Sequence, residues 1–85
     1  MISPYIRIDS IAGETHVVVD DWEVFDFLDD HLSALGFDFD WFKESMNGRK
    51  RYVMRFGKEI GRDSLEQALA TIPDGEIERI WSINH

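Results

Sequence analysis

Ile6 and Ile8 alternate with Arg7 and Asp9, and Thr15 to Asp20 is rich in β-branched residues. That pattern predicts two strands joined by a turn at Ala12-Gly13. A two-residue turn sets Ile8 opposite Val17, Ile6 opposite Val19 and Asp9 opposite His16. Downstream the period changes to that of a helix. Phe25, Leu28, Leu32 and Leu35, with Val24 at the edge, fall on one stripe, and Glu23, Asp26, Phe27 and Asp30 lie opposite. Asp20 or Asp21 is placed to cap this helix, and Gly36 to end it in the left-handed conformation.

The segments Phe37 to Ser45 and Arg49 to Gly57 flank Asn47-Gly48, a strong hairpin signal because a type I′ turn needs positive φ at both central positions. The turn fixes the register: Glu44 faces Arg51, Asp40 faces Arg55, Trp41 faces Met54 and Phe39 faces Phe56. Opposite charges then share one face and apolar pairs the other, two independent checks on one alignment. Asp63 followed by Glu66 has the spacing of a capping box for a short helix with Leu65, Ala68, Leu69 and Ile72 inward. Pro73-Asp74-Gly75 ends it, and Ile77 to Ile83 reads as a last strand. Gly57 to Gly61 is expected to be a mobile loop.

The predicted order is ββαββαβ. From the second strand onward it is the split βαβ of the ferredoxin-like fold, with an extra strand at the N-terminus. The fold class is therefore α+β, a two-layer sandwich with an antiparallel-rich sheet, and the 85 residues are expected to form a single domain. A chain this short buries only about 60–65% of its unfolded surface, so its aromatic residues must pack well.

Charge changes the picture more than composition does. The net charge is −8, and it is sorted along the chain: Ile8 to Phe42 holds ten carboxylates and no Lys or Arg, whereas Lys43 to Arg62 carries +5. Cysteine is absent, which excludes a disulfide framework, a thiol nucleophile and a thiolate zinc site. No uninterrupted apolar run exceeds three residues, so a soluble, cytoplasmic protein is expected. An acidic surface repels nucleic acid, whose binding rests on cations that neutralise phosphate, and attracts a basic partner.

Candidate chemistry is sparse. Asp9 with His16, and His31 at the margin of the helix stripe, belong to no nucleophile, metal-ligand or calcium-loop spacing, and no cofactor, metal or enzymatic activity is expected. The aromatic residues of the second hairpin lack the glycines of an RNA-recognition strand, and a core beneath the helices is expected of them. Arg51 and Arg55 are expected to be neutralised within the hairpin rather than to bind phosphate.

The partner-binding candidates are Trp22, Glu23, Asp26, Phe27 and Asp30 on the first helix, with Asp38, Asp40 and Phe42 on the third strand. Like charges at i, i+3 and i+7 destabilise a helix unless something outside it compensates. Phe42 and Val53 face each other on the charged side of the hairpin. They form an interface centre if that face is open, and ordinary core if the N-terminal hairpin covers it. In size and acidity the chain resembles bacterial immunity proteins and antitoxins. That resemblance implies a small inhibitor that neutralises a basic, nuclease-type toxin. The alternative is a regulatory or accessory protein acting through homodimerisation or sheet-edge pairing, with acidity serving solubility alone.

Overall fold

The computed structural model describes residues 5–83. They form β1 (Ile6–Ile11), β2 (Glu14–Val19), α1 (Trp22–Ala34), β3 (Phe39–Met46), β4 (Arg49–Phe56), α2 (Arg62–Ala70) and α3 (Glu76–Ile83). Both hairpins close through two residues in the left-handed region, Ala12 at φ 52° with Gly13 at 82° and Asn47 at 52° with Gly48 at 79°. Such turns match the twist of the strands they join, which is why they set the register so firmly. The pairs Ile8–Val17, Ile6–Val19 and Asp9–His16 form as expected, and so do Glu44–Arg51, Asp40–Arg55, Trp41–Met54 and Phe39–Phe56.

The sheet order is β1-β2-β4-β3, with every neighbouring pair antiparallel. β2 and β3 are thus parallel, joined through α1 and separated by β4, which is the split βαβ unit. Where the ferredoxin-like order would seat its final strand, beside β2, the N-terminal β1 already lies.

Accordingly Ile77 to Ile83 is not the expected strand but part of helix α3. With the edge position filled, this segment buries apolar surface at helical spacing instead: Ile77 joins the core, and Ile80 and Trp81 pack against it at i+3 and i+4. The architecture remains α+β, with the order ββαββαα.

One core lies between sheet and helices. Ile6, Ile8, Val17, Val19, Met54 and Phe56 point inward from the sheet and meet Val24, Phe25, Leu28, Leu32, Leu65, Ala68, Leu69, Ile72 and Ile77. Phe25, Phe56, Leu28 and Leu32 are fully buried, each contributing about 1.5–3 kcal/mol by transfer from water.

Helix termini differ in detail from expectation. Asp21 caps α1, its Oδ2 accepting the Val24 N–H at 3.0 Å. Leu35, placed on the core stripe by its spacing, is the C-cap residue and stays exposed, because Gly36 turns the chain away before a neighbour can cover it. The Asp63–Glu66 capping box does not form. α2 starts two residues earlier with Gly61 as N-cap, and Glu66 instead accepts the Arg62 Nε–H at 2.8 Å. In the loop before α2, the Thr15 hydroxyl donates to the Ile60 carbonyl at 3.1 Å and Ile60 packs on the core, so the segment is tied at that point. None of the three helices is long and apolar enough to cross a membrane.

A candidate partner-binding surface

The core stripe of α1 dictates what its far side shows. With Val24, Phe25, Leu28 and Leu32 turned inward, Glu23, Asp26 and Asp30 form an exposed ridge along the helix. No Lys or Arg of the described residues pairs with any of the three. Five of the chain's six arginines go elsewhere: Arg7 to Asp9, Arg51 to Glu44, Arg55 to Asp40, Arg62 to Glu66 and Arg79 to Glu76. The positive block in the sequence therefore neutralises the sheet and its surroundings and leaves α1 bare.

Phe27 is not the exposed anchor expected among those carboxylates. It is half-buried against the core and stacks on His31, with ring centroids 5.9 Å apart. His31 in turn ties α1 to the end of α2. The Thr71 hydroxyl donates to the Ala68 carbonyl at 2.6 Å, which leaves its oxygen to accept from His31 Nε2–H at 2.8 Å. Phe27 and His31 thus form the seam between helices.

The aromatic surface lies instead at the opposite flank of α1. Trp22, at its first turn, stacks on Phe25 at 5.3 Å and touches Trp41 at 6.0 Å and Tyr52 at 5.3 Å. Trp22 and Trp41 are each 46% exposed. Sequence reasoning assigned Trp41 to the core from its pairing with Met54. The face was right, but β3 is an edge strand, and the first turn of α1 covers only part of an edge residue. A Trp on an outermost strand facing a helix N-terminus is the signal that could have found it.

Asp38, Asp40 and Phe42 are not brought to this surface. Strand alternation turns Asp40 and Phe42 to the opposite face of the sheet. Asp40 accepts the Arg55 guanidinium at 3.1 Å, as Glu44 accepts that of Arg51 at 2.7 Å. Asp38 borders a shallow depression of 290 Å³ beside Phe39, Asp40, Arg55 and Gly57. Phe42 is 37% exposed next to buried Val53 and, across β4, buried Val18. None of these joins the cluster between sheet and helices; they lie on the sheet's other face, where Asp40, Glu44, Arg51 and Arg55 frame them.

Asp9 and His16 are backbone partners, but their side chains diverge. Asp9 takes Arg7 at 3.0 Å, and the buried His16 Nε2 lies 3.8 Å from Glu14 without a hydrogen bond. Among the described residues no three His, Asp or Glu side chains group as metal ligands. A depression of 350 Å³ holds Arg7, Arg49 and Arg51, yet two of those cations are already paired and Asp20 stands on its rim.

The chain matches no family model, no curated protein and no solved structure. The surface therefore has to be interpreted from its own chemistry.

Proposed function

We propose that this protein binds a basic macromolecular partner through the outer face of α1 and acts as an inhibitor of the immunity-protein or antitoxin type. Glu23, Asp26 and Asp30 occupy a cationic groove built for phosphate, and Trp22 supplies the desolvated contact beside them. The observation that carries this reading is the sorting of ion pairs: five arginines neutralise the protein's own carboxylates, and none reaches the α1 ridge. A concentrated negative field raises encounter rates with a positive partner by about 10- to 1,000-fold. A buried Trp at an interface commonly supplies much of the binding energy. Nucleic-acid-binding toxins such as nucleases present the required cationic groove, which makes them the partner class of choice.

The test is affinity capture by the wild type beside Asp26→Lys/Asp30→Lys and Trp22→Ala. The reading is supported by a basic nuclease retained at about 50 mM salt, released at about 0.5 M, lost from both variants and inactivated by stoichiometric wild-type protein. A partner that ignores salt, or binds the charge-reversed variant equally well, would remove the mechanism.

A further inference from the structure

The two edges of the sheet are treated differently. In a two-residue hairpin the residues flanking the turn exchange both main-chain hydrogen bonds, and the pattern alternates from there. From Ile11–Glu14, therefore, the main-chain groups of Ile6, Ile8 and Ser10 point to the outer side of β1. That edge is guarded, since Arg62 Nη1 donates to the Ile8 carbonyl at 3.1 Å. From Met46–Arg49, the groups of Phe39, Trp41, Lys43 and Ser45 point outward from β3. Among the described residues no hydrogen bond from elsewhere reaches them. β3 is also the longer edge, eight residues against six.

We infer that β3 pairs with β3 of a second copy, antiparallel about a two-fold axis at Phe42, to join two sheets into one of eight strands. Three registers put outward-facing groups opposite one another near the middle of the strand. Centred on Lys43, the pairing opposes two ammonium groups; centred on Trp41, it uses only part of the strand. Centred on Phe42, it pairs Phe39 with Ser45 and Trp41 with Lys43 of the second copy, and it makes about eight main-chain hydrogen bonds.

The same register matches side chains at two positions. Lys43, the lone cation of β3, comes beside an exposed indole, an arrangement worth having at a partly wet site. The two Phe42 rings meet at the axis. Asp40 opposes Glu44 of the second copy, a like-charge contact that Arg55 and Arg51 offset from either side and that makes the pairing weaker than its main-chain bonds alone would give. Trp41 against Lys43 and Phe42 against itself are self-matching positions, which is what favours a second copy of this chain as the occupant. The α1 ridge points away from the sheet and stays free, so the dimer displays two acidic faces on one side.

The edge is smaller than the roughly 800 Å² per partner of a standard interface, so the association depends on concentration. Two molecules of charge −8 repel, so added salt strengthens it, by about tenfold between 50 mM and 0.5 M, opposite to the partner binding proposed above. Sedimentation over a concentration series reads this directly.

Lys43→Pro removes only an outward N–H, which an edge strand tolerates, and Phe42→Glu sets two like charges on the axis. Both are expected to be folded monomers by circular dichroism. Because the chain has no cysteine, Phe42→Cys provides a register-specific probe and should oxidise to a covalent dimer, while Ser45→Cys should not. A wild type that stays monomeric at high salt and high concentration overturns the inference. So does a dimer that survives both edge variants, or cross-linking through Ser45→Cys in preference to Phe42→Cys.

Discussion

Replacing Asp26 by Lys should make the protein more stable and a poorer binder at once. Asp26 sits three residues after Glu23, three before Asp29 and four before Asp30, none of them ion-paired among the described residues, so it takes part in three repulsive contacts. Each like-charge pair at this spacing costs about 0.2–0.5 kcal/mol, and an opposite-charge pair gains a similar amount. Reversing one charge converts all three, a swing of about 1.5 kcal/mol. The positive charge near the N-terminal end of the helix returns about 0.3 kcal/mol. The net gain is about 1–1.5 kcal/mol, which in a domain of this size moves the thermal midpoint by roughly 5–10 °C. Urea denaturation and calorimetry at low salt measure it, and high salt should shrink the difference. A variant less stable than the wild type would refute the reasoning, because it would mean that the Asp26 carboxylate has a favourable partner within the fold. Asp26→Asn separates the contributions and should give about half the gain.

Three further outcomes follow from the fold. Ala12→Gly should stabilise the protein by about 0.5–1 kcal/mol in chemical denaturation, since Ala12 is held at φ 52°, where a Cβ is strained. Phe56→Ala should cost about 3–5 kcal/mol and leave the protein largely unfolded at room temperature, because the ring is fully buried and contacts Phe37 and Phe39. Thr71→Val keeps the shape of the α1–α2 seam but removes both the nearer of two acceptors for His31 Nε2–H, leaving the Ala68 carbonyl at 3.3 Å, and the hydroxyl's own bond to that carbonyl; a loss of about 1 kcal/mol, smaller but not zero in a His31→Ala background, is expected from a double-mutant cycle.

Both hairpins were legible in the sequence because two kinds of evidence agree there. Asn47-Gly48 fixes the turn, and Asp40 with Arg55 and Trp41 with Met54 confirm the alignment on opposite faces. The acidic ridge of α1 was equally legible, since the stripe from Val24 to Leu32 leaves Glu23, Asp26 and Asp30 nowhere else to point. Exposure was harder to read. Whether Phe27 or Trp22 is the aromatic left in water depends on which flank of α1 meets α2 and which meets an edge strand, and that is decided by tertiary contacts of His31 and Trp41. Grouping Asp40 and Phe42 with the helix residues failed for a related reason: alternation along β3 separates them from Trp41 by the thickness of the sheet.

The last segment shows how topology overrides a local pattern. Ile77, Trp81 and Ile83 fall on one face of a strand with Glu78 and Ser82 on the other, an alternation that Arg79 and Ile80 interrupt, while Ile77, Ile80 and Trp81 suit a helix; the short pattern alone does not separate the two. The sheet does. A strand there would have to pair beside β2, and β1 holds that position through the tight Ala12-Gly13 turn, which forms with little loop entropy to overcome. The distant segment would have to displace a hairpin that closes locally. It instead caps the β1 side of the core as α3, with Trp81 stacked on Tyr5 at 4.6 Å. The consequence reaches the surface: with α3 and Arg62 at the β1 edge, β3 is left as the side on which the sheet can grow.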